Sequence, residues 1–344
     1  MLGGPGRRTG APRRQGGPAV TQRTPFISLL ALAVILAGPA CRKAGSGQWF
    51  RGNLHTHTTN SDDGDTSPQA AVDWYRSHGY QFLAITDHNV LTAVEGLTGP
   101  ADGTFLLIPG MEITDRAHDI PIHVLALGLR DGTLKPAGGA DALGALQNDV
   151  TAVRAAGAVP IMCHPNWGWA YGSEELFRVR DCAFFEVLNA HPGVNNAGGN
   201  GRPATEQMWD EVLSRGKKLY GFGTDDMHAI ATYPGKSWVM VRAPELSEKA
   251  ILAAFEKGDF YVSTGVVLES IRVRRAKVRL RIRAEKGTTL TTLFIGSGGR
   301  ILGRVAGPSP AFKLPRGERY VRAKVTDGQG RVALTQPLIY REKP

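Results

Sequence analysis

Residues 49–68 read Trp-Phe-Arg-Gly-Asn-Leu-His-Thr-His-Thr-Thr-Asn-Ser-Asp-Asp-Gly-Asp-Thr-Ser-Pro. The first six, with Trp49, Phe50 and Leu54, read as a core strand. His55 and His57 follow at its end, two apart, so in extended chain both imidazoles share one face. A polar loop then carries Asp62 and Asp63. Ser67 and Pro68 are the residue types of a helix N-cap and first helical position, and that helix runs through Tyr75 to a stop at Gly79. Strand, polar loop and helix form the repeating unit of an α/β fold.

Working outward, apolar runs predict further strands over 81–86, 105–108, 122–127, 159–162, 184–188 and 219–222. Helical periodicity predicts helices over 141–155, 205–214 and 247–256. Several strands in one parallel arrangement favour a barrel. From Val266 the period changes to two, as in Lys277-Val278-Arg279-Leu280-Arg281-Ile282-Arg283, which predicts a sheet with one packed and one cationic face. Residues 266–344 therefore read as a small all-β, sandwich-like domain, separable from the preceding domain over 48–265.

The 344 residues are 42% hydrophobic and 21% charged, an ordinary globular composition with enough apolar material for a sizeable core. No internal repeat is visible, which excludes solenoids. Three cysteines are too few for a disulfide framework or a thiolate zinc site, so any metal here uses His and carboxylate. The net charge of +10 is uneven: 1–40 hold five arginines and no acid, and 266–344 hold 18 Lys/Arg against five Asp/Glu. The middle of the chain is acidic. Basic ends without interleaved aromatics argue against a nucleic-acid partner and for a carboxylate-rich site beside a basic accessory segment.

An arginine-rich start, an apolar run over 26–37 and then Gly38-Pro39-Ala40-Cys41 have the layout of a secretory signal over 1–40, followed by a linker over 41–47. The run is short for a bilayer span. Cys41 after small residues raises lipidation and membrane anchoring, so the expectation is an exported protein, periplasmic or held as a lipoprotein, with an uncleaved anchor as the alternative. After export, Cys163 and Cys182 either pair or stay as buried thiols.

Most of the nine histidines stand at expected strand ends beside a carboxylate or another histidine. Asp87-His88 ends the second strand and Glu112 the third. His123 lies in Pro121-Ile122-His123-Val124, His164 follows Cys163, and Asp226 and His228 close a late strand. One such residue is ordinarily satisfied by its neighbours, and one His-x-His is a weak metal signal. Converging on the mouth of a parallel barrel, these clusters would crowd carboxylates without cations to neutralise them. Two or three divalent ions resolve that conflict, and imidazole with carboxylate suits Zn, Mn or Fe. Asp87 reads as a supporting group or a base.

The ordered segments HTHTTNSDDGD, AITDHN, GMEIT, HVLALG, MCHPNW and GTDDMH resemble the PHP (polymerase and histidinol phosphatase) metallohydrolases over about residues 48–266. The resemblance implies a distorted (β/α)7 barrel with a two- or three-metal site. Its ligands would be His55, His57, a loop aspartate, His88, Glu112, His123, His164, Asp226 and His228. The loop carries one Asp more than the usual pattern: spacing from His55 favours Asp62, adjacency to Gly64 favours Asp63. GKSW, GDFYVSTG and the ending TQPLIY resemble exported members.

Clustered metals generate hydroxide and neutralise a phosphoryl group, so the expected reaction is hydrolysis of a small, phosphorylated molecule. His191 would protonate the leaving group, Lys236 or Arg242 would bind a phosphate oxygen, and Trp167 and Trp169 would wall the pocket. The alternatives are carbamate, ester or amide hydrolysis on the same metals, and a non-catalytic binding protein stabilised by metal.

Overall fold

The computed structural model describes residues 47–97, 103–231, 234–274, 276–285 and 287–339; the expected signal peptide, Cys41 and nearly all of the linker lie outside them. The first half runs β1 (Gln48–Asn53), α1 (Pro68–Ser77), β2 (Phe82–Ile85), β3 (Leu106–Ala117), β4 (Ile120–Leu127), α2 (Ala142–Ala155), β5 (Val159–Met162), α3 (Ser173–Arg178), β6 (Phe184–Asn189), α4 (Thr205–Ser214), β7 (Tyr220–Thr224), β8 (Trp238–Ala243), α5 (Glu248–Lys257) and β9 (Phe260–Ser263). The second half is all strand: β10 (Leu268–Arg274), β11 (Lys277–Ile282), β12 (Leu290–Gly296), β13 (Arg300–Ala306), β14 (Ala311–Lys313), β15 (Tyr320–Asp327), β16 (Val332–Thr335) and β17 (Leu338–Ile339).

Local signals account for the helix starts. Ser67 Oγ accepts from the Ala70 amide at 3.3 Å, with Pro68 next, and Asp141 accepts from the Gly144 amide at 2.7 Å at the head of α2. Among the described residues no helix is long and apolar enough to cross a membrane.

The large sheet has the order β13-β12-β15-β16-β9-β8-β1-β2-β3-β4-β5-β6-β7, with β17 on β15. It is mixed. β1-β2-β3 and β5-β6-β7 are parallel, whereas β4 is antiparallel to both β3 and β5. The expected distorted (β/α)7 barrel holds only as a mixed α/β fold around a large sheet: β3 runs through Glu112 to Ala117 and turns straight into β4, leaving no helix between them. The sheet curls until the segment after β7 meets the segment after β1, where the His57 amide donates to the Met227 carbonyl at 2.7 Å.

The separate β domain is corrected as well. β16 pairs with β9, Ala333 opposite Ser263, so five strands beyond 265 (β12, β13, β15, β16 and β17) extend the same sheet while β10, β11 and β14 form a second small one. The apolar core of this half includes Tyr261 from β9, with Trp49 and Met240 packed against it. Two polar ties reach further back. The Gln336 side chain accepts from the Gly221 amide at 3.0 Å and donates to its carbonyl at 2.7 Å, acting as a one-residue strand on β7. Arg322, 2% exposed, is paired with Asp210 of α4 at 2.6 Å and with Glu206 at 3.0 Å.

Candidate metal centre

The β1 end, the loop after it, the β2 end, the β3-β4 hairpin and the segments after β5 and β7 deliver eight imidazole or carboxylate side chains to one place. Glu112 is central and fully buried. Its Oε1 lies 3.1 Å from His55 Nε2, 3.0 Å from His123 Nδ1 and 3.2 Å from His164 Nε2. Its Oε2 lies 2.8 Å from His88 Nδ1 and 3.4 Å from His57 Nε2. Asp226 Oδ1 is 3.3 Å from both His55 Nε2 and His57 Nε2.

Asp63 adds a ninth group at the solvent side, its Oδ2 3.3 Å from His88 Nε2 and 3.2 Å from His228 Nε2. The loop that presents it is closed tightly: a Cβ on Gly64 would stand 2.1 Å from the Thr58 carbonyl oxygen. Asp62, next to it, is exposed and makes no contact with the cluster. Between the two loop aspartates the geometry thus selects Asp63.

Acceptors at the far side of each ring orient several imidazoles. His55 Nδ1–H donates to Glu186 Oε1 at 2.7 Å, His57 Nδ1–H to Ser61 Oγ at 3.1 Å, and His228 Nδ1–H to the Asp226 carbonyl at 3.1 Å. Each leaves Nε2 facing the cluster, the arrangement that outer hydrogen bonds impose on metal-binding histidines. Ser61 is held in turn by Asp87, to which its hydroxyl donates at 3.0 Å. Asp87 also accepts from the Thr58 amide at 2.6 Å, the Thr58 hydroxyl at 2.8 Å and the Thr92 hydroxyl. Its oxygens are thereby committed, and it does not line the cavity. As a base it is corrected: Asp87 positions Ser61 and through it His57.

Glu186 was not expected from the sequence. Besides His55, it accepts from the His164 amide at 2.9 Å, Thr224 at 2.7 Å and Asn189 at 2.9 Å. Asn189 donates to Asp226 Oδ2 at 2.9 Å as well. A lone acid in the otherwise apolar Phe184-Phe185-Glu186-Val187-Leu188 was the available signal.

Titration follows from this crowding. Burial holds His57 down to about 4 despite Asp226 and Glu112, so it is neutral and its lone pair is available. At His55 burial also opposes charge, but Asp226, Glu112 and Glu186 outweigh it and raise the imidazole well above its ordinary value. His88 rises to about 9 against its own burial, drawn up by Glu112 and Asp63. Burial would raise Glu112 and Asp226, yet the surrounding histidines hold both well below the usual carboxylate range. Protons on imidazoles thus do the neutralising that divalent cations would do better.

The fit to metal rests on atoms left over. His55 Nε2, His57 Nε2, Glu112 Oε2 and Asp226 Oδ1 are all buried without a hydrogen-bond partner, where each would ordinarily cost about 1–3 kcal/mol. Groups of ligand atoms lying within 4.8 Å of one another include His57-Asp63-His88-His228, His55-His57-Asp226, and His88-Glu112-His123. Backbone strain collects here too, with Asp226 at φ 51° and His164 at φ 21°. Cys163 Sγ adjoins His55, Glu112 and His164; burial and then Glu186 push this thiol well up, so it is a neutral neighbour. Cys163 and Cys182 are both free, which settles the open pairing.

The cluster opens into a cavity of about 350 Å³ lined also by Trp167, His191 and Ala229. His191 Nδ1 accepts from the Gly193 amide at 3.1 Å, leaving Nε2–H as the donor. Its ring meets Trp167 edge-on at 5.2 Å, and Gly193 makes room for that indole, since a Cβ there would stand 2.2 Å from it. Trp169 packs on Gly199 instead of the cavity. Lys236 and Arg242 are corrected as phosphate ligands: neither lines the cavity, Lys236 is exposed, and Arg242 pairs with Asp259 at 2.6 Å.

No protein-family model matches the chain, and no curated protein matches it. Among solved structures, a two-domain protein from Bacteroides vulgatus containing a predicted PHP-like metal-dependent phosphoesterase is 20% identical. That match covers 81% of this chain and 91% of that one, with TM-score 0.48. A protein from Bifidobacterium adolescentis assigned as a metal-dependent phosphoesterase is 17% identical over 52% of this chain and 87% of its own, TM-score 0.39. An amidohydrolase from Chromobacterium violaceum, with bound sulfate and no metal, is 15% identical over 52% and 88%, TM-score 0.38.

Proposed function

We propose that the chain is a metal-dependent hydrolase of the PHP kind and, within that class, a phosphoesterase. The observation that carries the reading is the set of four buried ligand atoms on Glu112 and its neighbours that make no hydrogen bond, beside a cavity large enough for a small substrate. His55, His57, Glu112, His164, Asp226, His88, His123, Asp63 and His228 would hold two or three ions of Zn, Mn or Fe. When bound, those ions polarise a phosphoryl oxygen and lower the pKa of water. Glu112, with one oxygen toward His55, His123 and His164 and the other toward His57 and His88, would be available to both groups. Glu186 and Ser61 hold His55 and His57 in the tautomers that leave Nε2 free to act as a ligand. His191, neutral because burial lowers its pKa, presents Nε2–H to a leaving oxygen. Trp167 walls the cavity against water.

A second reading, carbamate, ester or amide hydrolysis, is favoured by one feature: among the described residues the cavity lining contains no Lys or Arg. Metal analysis of purified protein, with phosphomonoester, phosphodiester, carbamate and ester substrates assayed side by side, tests both. Phosphoester turnover with two or three ions per chain is expected; carboxylester or carbamate turnover alone would replace the first reading by the second. Export with removal of 1–40 is a further proposal, resting on the sequence alone, and intact mass of the cell-derived protein checks it.

A further inference from the structure

The small second sheet, β10-β11-β14, has one packed face and one open one. Val278, Leu280 and Ile282 of β11, each 3% exposed, point into the core, and side chains alternate along a strand, so the register fixes what the open face carries. Arg272 stands opposite Arg279, and Arg274, Lys277 and Lys313 form one row across all three strands. Ser270 opposite Arg281, and Ala311 beside Arg279, complete the face, so six of its eight positions are cationic. Arg281 is paired at 3.0 Å with Glu269, which stands at the irregularity in β10. Arg272, Arg274, Lys277, Arg279 and Lys313 have no side-chain hydrogen bond or ion pair among the described residues. Like charges directly opposite one another destabilise a strand pair, and nothing in the fold offsets that cost here.

The open face offers no aromatic ring. Phe312 of β14 lies on the packed side, stacked on Phe294 at 4.8 Å. A nucleic-acid strand would need such rings for its bases, whereas a fluid array of phosphate headgroups needs none and attracts each cation brought near it. The path of the chain supplies a second reason. Trp49 Nε1 donates to the Glu269 carbonyl at 3.2 Å, so β1 enters the fold beside β10. Cys41 stands eight positions before Trp49, at most about 29 Å of extended chain. An acyl group on Cys41 would keep this sheet within reach of a bilayer, and a single acyl chain holds stably only with a second, basic contact. We propose that the open face of β10-β11-β14 docks on an anionic lipid surface. None of its residues belongs to the metal centre, so the inference stands apart from the proposed reaction.

Arginine labelling by phenylglyoxal, read by mass spectrometry on the full-length protein with lipid vesicles, tests it. Phosphatidylglycerol vesicles should slow labelling of Arg272, Arg274 and Arg279 at least about fivefold, and salt at about 0.5 M should restore it. Phosphatidylcholine vesicles should leave these rates unchanged, and the exposed Arg178 and Arg180 should keep theirs throughout. Arg272→Glu/Lys277→Glu puts one acid opposite Arg279 and another between Arg274 and Lys313, so the strands are not weakened. In that variant the phosphatidylglycerol needed to protect Arg274 and Arg279 should rise at least about tenfold, while Arg178→Glu/Arg180→Glu, the same change of charge elsewhere, should need no more than the unaltered protein. Absence of protection by phosphatidylglycerol, equal protection by phosphatidylcholine, an equal loss in Arg178→Glu/Arg180→Glu, or stronger protection by an oligonucleotide than by vesicles would each overturn the proposal.

Discussion

Two buried charge networks in this molecule look alike in composition and behave oppositely. Around Asp210, Arg322 pairs at 2.6 Å, the Tyr320 hydroxyl donates at 2.8 Å, and Glu206 joins through Arg322 and Lys324. Acids and bases there close on one another. Around Glu112 the acids face imidazoles whose ring nitrogens are held from behind, and four ligand atoms sit within ion-pair distance of their neighbours yet make no hydrogen bond. A network that closes is a joint between two parts of the chain; one that does not close has ligand atoms to offer a cation.

The sharpest way to break that comparison is Glu112→Gln. Hydrolysis should fall at least about 10³-fold and bound metal should drop, while the folded protein survives. Unchanged metal content by elemental analysis would remove Glu112 from the centre. Next in size is Arg322→Ala, which leaves Asp210 buried and unpaired and should cost about 3–5 kcal/mol in denaturant unfolding. A chain ending near Thr264 should fare worse, losing the β16 pairing and the Gln336 tie together; a soluble, metal-binding truncation would show the joint to be dispensable. Asp87→Asn should lower metal affinity about 10–100-fold through Ser61 and His57, read by competition with a chelator.

The smallest effect comes from an intermediate case. Asp149 in α2 is buried; one oxygen accepts from the Ala137 amide at 2.9 Å and the other has no partner. Burial raises its pKa to about 7. A carboxyl raised in the folded state favours folding below the unfolded value and loses that contribution as pH climbs through about 7. Asp149→Asn should therefore stabilise the protein at pH about 8, with the gain fading toward pH about 4, in paired denaturation curves.

The site was far more legible than the frame around it. Histidines and acids at strand ends announce themselves because such residues are costly to bury singly, and those expected as ligands, Asp62 apart, lie in one cluster, with Asp63 and His228 at its outer side away from Glu112. The short apolar strand β5 at 159–162 and helix α4 coincide with their expected bounds, and β2 and β6 differ by no more than one residue at either end. The β3-β4 hairpin was hidden because Pro109-Gly110 reads as a stop, whereas the strand passes through Gly110 and five residues beyond Glu112. The join at 265 was hidden for a different reason: a change of period from helix-strand to strand-strand marks a change of architecture, but carries no sign of whether the new strands add to the old sheet. Lys236 and Arg242 show the limit for charge, since sequence gives its sign without its direction.

Gln336 has one more implication, for the order of assembly. A chain made from its N-terminus completes β7 more than a hundred residues before the side chain that closes its edge exists. Until 322–336 emerge, the newest strand of the metal-bearing half is a sticky margin and Asp210 a stranded charge. Consolidation is therefore postponed to the end of synthesis, as expected for contacts of such long sequence separation. The sheet edge at β7 is thus closed by the last segment of the chain to be made.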